Sequence, residues 1–488
     1  MIKTMYEFGV HLKEIEDMKP YFAVSASPYR EKARDELVII AEIVGGRYER
    51  LTSEQYRRSY DTRYLFRDLA GARSTSIVPT LHFYFIPKED KLDESIGKFL
   101  DKLGRCLTNN EAVYKLFFDP KQLLEGVEKD LKRFVQEHLS EPKNYLFTLQ
   151  IDDKWLGDIP EIKSILEQSS YDKYFRDGKG DLFRGENRLC AVTYVQAPEV
   201  WGRVDTLGFT VNDIAFSRNG FEAKDSYKMF PVSPEAVKIL EGTRRTLDSR
   251  LSKQFLSMRF FVLPHFVTIR DDFQKKDRLV RRFVEAIIAP TEPGFDPMAR
   301  AIVNSEDIFD KILKDPELGH NSVYYDIFFY EQKQAQFLIK LHISDVIPSR
   351  FRIIMDVKNR IKDFYQPLTR REFKDGKEIF VFSPSFYNIK DYFSIKREKE
   401  TIVEPYFFKI VEAVFYKNRL DREQVLRAFM QKIVPAFKNQ SEKSWEFQSH
   451  VKHSFCIYQF FQQLQPFLQS ALKYFHFLFR RVFYIDFL

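Results

Sequence analysis

Apolar positions along the chain come first in short aromatic and β-branched runs and later at helical spacing. The runs Thr80 to Ile86 and Tyr145 to Ile151 predict strands. Leu37, Ile40, Ile43 and Val44 follow Ser27, a capping residue, and Pro28, suited to a first helical position. With Gly45-Gly46 as the stop, this pattern predicts a helix. From Arg184 to Phe266 the texture changes to strands at Cys190 to Gln196, Arg203 to Val211 and Arg259 to Phe266. Between them a helix is predicted, capped by Ser233, with Pro234 in its first turn and Val237 and Leu240 leading to Gly242.

The block Ser322 to Val346 reads as two strands, Val323 to Tyr330 and Phe337 to Ile343, joined through Glu331 to Gln336. The strand signal ends at Phe382 to Phe386, and from about Ile395 onward the pattern is helical. Phe407, Ile410, Val411 and Val414 share one face, and Asp421 with Gln424 starts a helix carrying Val425, Phe429 and Ile433. Glu442 to Gln463 and Pro466 to Phe483 complete a small bundle. The expected fold class is α+β, with mixed N-terminal and middle domains of short strands followed by a C-terminal helical bundle. Boundaries fall at 1–183, 184–266, 267–395 and 396–488.

Length agrees with that division, since 488 residues exceed what one core usually organises. With 44% hydrophobic and 30% charged residues the chain is an ordered globular protein. Its 49 Phe and 25 Tyr supply core, and also surface on which bases stack or subunits meet. The net charge of +7 permits basic grooves without requiring them. Cys106, Cys190 and Cys456 are too far apart for a disulfide scaffold, so a reducing, cytoplasmic setting is expected. Tyr458 to Leu488 is broken by Gln, Lys, His and Arg, and no membrane partner is expected.

Motifs for a nucleophile elbow, a phosphate loop or a metalloprotease helix do not occur. His450 and His453 could share a helical face but have no evident third ligand. Asp152-Asp153 and Asp271-Asp272 read as solvated turn pairs, because neighbouring residues seldom point at one ion. Cys190 has no base beside it to activate a thiolate. No catalytic residue, cofactor or metal is therefore assigned, and the chain is expected not to be an enzyme. A metal-dependent nuclease built from carboxylates scattered in sequence stays the alternative of another class.

Nucleic-acid chemistry has more support. The segment Phe209 to Lys224 carries Asn212 and then Ser217, Arg218, Asn219 and Gly220, residue types that read base edges and let backbone approach a groove. An ordinary Asn-Gly turn would use the same residues. Lys179, Arg184 and Arg188 before this loop, with Lys224 and Lys228 after it, are phosphate-binding candidates. A second basic group, Lys275, Lys276, Arg278, Arg281 and Arg282, lies on a predicted helix whose basic face could equally be solvated. Arg57, Arg58, Arg63 and Arg67, interleaved with Tyr56, Tyr60 and Phe66, are spaced to line an N-terminal helix.

Several short signals occur in order: Phe209-Thr210, Gly220-Phe221, Phe230-Pro231, Leu240-Glu241-Gly242 and Phe260 to Pro264. In this order and spacing the module resembles that of the large subunit of type I-B CRISPR Cascade complexes. Relatives often carry two Cys-x-x-Cys pairs there; this chain has Cys190 with Thr193 and Ser233 with Ala236, a degenerate zinc-ribbon-like pattern that cannot form a four-cysteine site. The resemblance implies a subunit that reads a protospacer-adjacent motif (PAM) in target double-stranded DNA while guide RNA pairs with the target strand. It implies as partners a crRNA-containing ribonucleoprotein with backbone and small subunits, the displaced single strand, and a recruited helicase-nuclease in antiviral defence. The same subunit role with transposition proteins, in a CRISPR-associated transposon, is the alternative within the class.

Overall fold

The computed structural model describes residues 1–22, 37–66, 77–84, 89–139, 144–176, 180–204, 206, 223–255, 258–266, 272–288, 308–333, 336–365, 372–374, 377–379, 384–397, 400–403, 405–439 and 445–464. The fold is α+β. Two compact units emerge: Leu12–Thr246, and Lys3–His11 with Leu247–Leu488. The division falls within the stretch that the sequence pattern groups as a middle module.

The chain opens with helix α1 (Ile2–Leu12), most of which belongs to the second unit. The first unit is built on strands β1 (Leu37–Val44), β2 (Arg47–Gln55), β3 (Leu81–Tyr84) and β4 (Asn144–Ile151), in the order β2-β1-β4-β3. β1 runs parallel to β4 and antiparallel to β2. The helix expected at Leu37 to Val44 is thus a strand. Val38, Ile39, Ile40, Ile43 and Val44 are β-branched, and the strand buries Val38 and Ile40 on one face and Ile39, Ala41 and Ile43 on the other. A strand buried on both faces loses its alternation and can imitate helical spacing. Gly45 and Gly46, with φ of +56° and +77°, turn a hairpin and do not stop a helix. Ser27 and Pro28 lie outside the described residues.

Helices α2 (Glu89–Asn109) and α3 (Pro120–His138) cover one sheet face with Phe99, Leu103, Leu123, Val127 and Leu131. The strands predicted around Leu81 and Leu146 are β3 and β4. The N-terminal Arg group does not line a helix: a 3₁₀ turn at Arg58–Tyr60 and a single helical turn at Asp61–Tyr64 follow β2, and Arg67 lies outside the described residues. Arg57 and Arg63 instead sit over the Tyr60 ring, at 5.2 and 4.8 Å.

After helix α4 (Pro160–Tyr171) the chain forms the antiparallel hairpin β5 (Arg184–Leu189) and β6 (Gln196–Trp201). Cys190 to Val195 is its turn, not a strand, because the Cys190 N–H donates to the Val195 carbonyl at 3.0 Å and closes the chain on itself. Of the strand expected at Arg203 to Val211, residues 203 and 204 are irregular, and the rest is undescribed apart from a turn at Thr206. Helix α5 (Pro234–Thr246) has the predicted cap, with the Ala236 N–H donating to Ser233 Oγ at 3.4 Å. It continues past Gly242, against which the Phe22 ring packs.

The second unit holds a sheet ordered β10-β9-β8-β7, formed by β7 (Lys253–Phe255), β8 (Met258–His265), β9 (Tyr324–Lys333) and β10 (Gln336–Val346). Pairing of β9 with β10 extends to Lys333 and Gln336, leaving a tighter connection than Glu331 to Gln336. Helix α6 (Phe273–Ile288) carries the second basic group, and α1 packs on it through Phe8 and Phe283, with ring centroids 5.9 Å apart. Helix α7 (Pro348–Tyr365) follows β10, and Phe386 opens helix α8 (Phe386–Tyr392), not a strand end. A small hairpin, Ser394–Arg397 with Glu400–Val403, stands where helix was expected. Helices α9 (Pro405–Tyr416), α10 (Arg422–Asn439) and α11 (Trp445–Leu464) then appear with the predicted buried faces and the Asp421 cap. Pro466 to Phe483 lies outside the described residues.

Arg350 of α7 is buried and donates from Nε to the carbonyls of Val414 and Phe415, at 2.9 and 3.1 Å, satisfying the C-terminal end of α9. Burial pulls its pKa down to about 10, so the guanidinium keeps its charge at neutral pH. Replacing Arg350 with Met should strand those carbonyls and cost about 2–4 kcal/mol. Chemical denaturation of the variant should show that loss.

Candidate nucleic-acid interface

The hairpin β5–β6 is the base of the candidate site, and hydrogen bonds close it. Cys190 Sγ accepts the Ser233 N–H at 3.3 Å, while the Ala191 N–H donates to the Pro231 carbonyl at 2.7 Å. At the other end Trp201 and Val232 exchange backbone hydrogen bonds of 2.8 and 3.1 Å. Burial pushes the Cys190 thiol up, but the Thr193 hydroxyl and the N–H groups of Ser233, Thr193 and Val192 outweigh it and hold the pKa below the usual range. Thr193 and Ser233 thus serve as hydrogen-bonding substitutes, and Ala236 is fully buried. The four positions of the degenerate pattern are occupied by a thiol, two hydroxyls and a methyl group.

From this base the chain departs after Val204 and returns at Ala223, spanning the candidate base-reading loop. Asn212, Ser217, Arg218, Asn219 and Gly220 lie outside the described residues, as does Lys179. The feet of the loop are described. A Cβ at Gly202 would lie 2.3 Å from the Tyr227 nitrogen, and one at Gly185 would lie 2.3 Å from the Tyr227 ring. At Gly202, just after β6, only glycine lets the backbone of the 3₁₀ turn Ala223–Lys228 seat so closely.

Cations surround this base on aromatic supports. Arg188 is exposed on β5 and sits 5.2 Å from the Tyr227 ring centroid; Lys228 lies 5.9 Å from the same ring and 2.9 Å from Asp225. Arg184 is exposed and 3.7 Å from Glu199 across the hairpin. Lys224 belongs to the 3₁₀ turn. Sequence reasoning missed Lys173 over Tyr174 at 4.5 Å, Arg203 over Phe183 at 5.0 Å and Lys238 over Tyr171 at 5.6 Å. A basic residue beside an aromatic was the available signal for Lys173 only. It also missed the hairpin tip, where Leu189, Tyr194 and Val195 are 53, 62 and 63% exposed. Tyr194 is held at φ +57°, a conformation uncommon for a bulky residue.

The basic group on α6 is differently disposed. Arg278 pairs with Glu317 at 3.2 Å, Arg281 with Asp277 at 2.7 Å and Arg282 with Asp315 at 2.8 Å. Lys275 and Lys276 lie in the first turn, where the Lys275 N–H donates to Asp272. These arginines hold neighbouring carboxylates, and a phosphate would have to compete for them.

Asp152 and Asp153 form a turn after β4, and Asp152 accepts the Gly45 N–H at 2.8 Å. His450 and His453 lie on α11; His450 is 3.9 Å from Glu446, and burial lowers its pKa. Carboxylates distant in sequence do converge, however. Ligand atoms of His265, Asp326 and Asp345 all lie within 4.8 Å of one another.

If hydrogen bonds replace a metal in the β5–β6 base, restoring thiolates should restore metal binding. The triple variant Thr193→Cys, Ser233→Cys, Ala236→Cys is expected to bind about one zinc more per chain than wild type and to melt at higher temperature with zinc than with chelator. Metal analysis and thermal denaturation check this.

No curated protein matches the chain. Two family models do: the central domain of CRISPR-associated protein TM1802 over residues 187–346, and its C-terminal domain over residues 384–476. The first takes in most of the β5–β6 base, the loop it carries and the whole β7–β10 sheet. The second takes in α8 to α11. Together they span just over half of the chain, which belongs to the TM1802 family of CRISPR-associated proteins.

Proposed function

We propose that the chain is the large subunit of a type I-B CRISPR Cascade complex, acting in the cytoplasm by binding and not by catalysis. In this reading the Ser217 to Gly220 segment, with Asn212, recognises the protospacer-adjacent motif in duplex DNA. The surrounding cations hold phosphates, assist strand separation and retain the displaced strand in the R-loop. Other surfaces contact backbone and small subunits on the crRNA and help recruit the effector helicase-nuclease.

The observation that carries this reading is the closed base beneath the loop: both feet meet at Gly202 and Tyr227, and Arg188 and Lys228 flank the same ring. A recognition loop on a rigid support loses little entropy on binding. A cation held over a ring, as Arg188 is, keeps most of its charge for phosphate, while Lys228 also pairs with Asp225. Family membership supports the CRISPR setting.

In the assembled complex, Arg218→Ala with Asn219→Ala should abolish target-duplex binding and leave crRNA loading intact. Arg188→Ala should weaken duplex binding across all sequences and flatten its salt dependence by about one unit of slope. Unchanged duplex binding by the double variant would remove the loop from motif recognition. The convergence of His265, Asp326 and Asp345 favours one second reading, a metal-dependent nuclease. Incubating the purified chain with single- and double-stranded DNA and Mg²⁺ or Mn²⁺ separates the two: robust cleavage would replace the binding-only role.

A further inference from the structure

At one end of the β7–β10 sheet His265, Asp326 and Asp345, from three adjacent strands, place ligand atoms within 4.8 Å of one another, and His342 lies beside Asp326. His265 ends β8, Asp326 lies in β9, and His342 and Asp345 lie in β10. The pairing of β9 with β10 is irregular here: Tyr325 faces Val346 and Ile327 faces Ile343, so Ser344 and Asp345 both stand opposite Asp326. Such a bulge re-aims side chains, and Asp345 adopts φ +53° within it. Tyr416 pins the bulge by donating to the Ser344 carbonyl at 2.9 Å.

Asp326 is 3% exposed, and one of its oxygens accepts the Asp345 N–H at 3.0 Å. Its other oxygen, Oδ2, lies 3.7 Å from His342 Nε2, too far for a hydrogen bond. That nitrogen is buried and has no hydrogen-bond partner. His342 cannot easily turn away, because its ring stacks on Phe328 with centroids 4.2 Å apart. His265 Nδ1 lies 3.3 Å from Asp345 Oδ1.

We propose that His265, Asp326, His342 and Asp345 form a binding site for a divalent transition-metal ion of the zinc class. Two imidazoles and two carboxylates are a borderline-hard donor set that suits such an ion better than Mg²⁺ or Ca²⁺. Nitrogen and oxygen ligands at about 2.0–2.2 Å around a tetrahedral ion stand about 3.4 Å apart. His265 and Asp345 stand 3.3 Å apart, the ligand atoms of His265, Asp326 and Asp345 lie within 4.8 Å of one another, and His342, 3.7 Å from Asp326, would move inward to complete the set. A bound ion would give His342 Nε2 its missing partner and neutralise the buried Asp326. It would also tie β8, β9 and β10 together at the bulge.

The test uses the full chain, stripped with chelator and titrated with ZnCl₂ and, separately, MgCl₂. Wild type is expected to take up about one zinc and to melt at higher temperature with zinc, with Mg²⁺ binding at least a hundredfold weaker. His265→Gln with Asp345→Asn alters the two more exposed ligands and should leave the circular dichroism unchanged while reducing zinc affinity at least tenfold. His342→Gln should do the same through the third strand. Absence of zinc uptake by wild type overturns the proposal, as does undiminished uptake by the folded double variant.

Discussion

Closing the β5–β6 base through hydrogen bonds is the constraint on which the candidate interface depends. A zinc ion bound by four thiolates can hold two chain segments by itself. Here the work is spread over the Ser233 N–H on Cys190 Sγ, the Ala191 contact to Pro231 and the Trp201–Val232 exchange. Each is worth about 1 kcal/mol, so no single one suffices. Burial of Cys190, Val200, Val232 and Ala236 excludes water that would otherwise compete for them. Ser233 is used twice, since its N–H meets the thiol while its hydroxyl caps α5.

The closed base determines how charge is presented. Arg188, Arg203 and Lys238 rest on rings that belong to the same scaffold, so their positions are fixed while their charges stay only lightly compensated. On α6 the same residue types meet Asp277, Asp315 and Glu317. Asp315 is held low because the N–H groups of Leu318 and Glu317 and the Arg282 guanidinium outweigh its burial. Its charge persists and keeps Arg282 engaged. Two basic clusters indistinguishable by composition thus differ in electrostatic availability.

Much of this was legible in the sequence because local rules decide it. Ser233-Pro234 starts a helix, Asp421 caps another, and the buried stripe Phe407, Ile410, Val411 and Val414 follows helical periodicity. Leu37 to Val44 misled because a strand buried on both faces presents no alternation, and because Gly45-Gly46 serves a hairpin as readily as a helix end. Cys190 to Val195 misled because a turn can bury apolar residues as a strand does: Cys190 and Val192 are buried while Tyr194 and Val195 are exposed. The aromatic supports under Arg203 and Lys238 could not be read, since each ring is twenty or more positions away along the chain. The His265, Asp326, His342 and Asp345 group is hidden for the same reason: strand register, not spacing, brings it together.

The two regions that match the family meet at one short stretch of the second unit. β10 passes through the Ser344–Asp345 bulge and, after Ile347, starts α7, whose third residue is Arg350. Tyr416 reaches the bulge from the end of α9, while Arg350 takes the carbonyls of Val414 and Phe415 just before it. Three consecutive residues of α9 are thereby clamped to the segment that carries Asp345. A left-handed Asp is costly by about 1–3 kcal/mol and persists only where its surroundings over-determine it; here that determination comes from the helical region. A displacement of α9 would release Tyr416 from Ser344 and relax the bulge, moving Asp345 relative to Asp326. The geometry at this end of the sheet is therefore tied to α9 by the Tyr416–Ser344 contact between the two matched regions, with Arg350 of the intervening α7 holding the same end of α9.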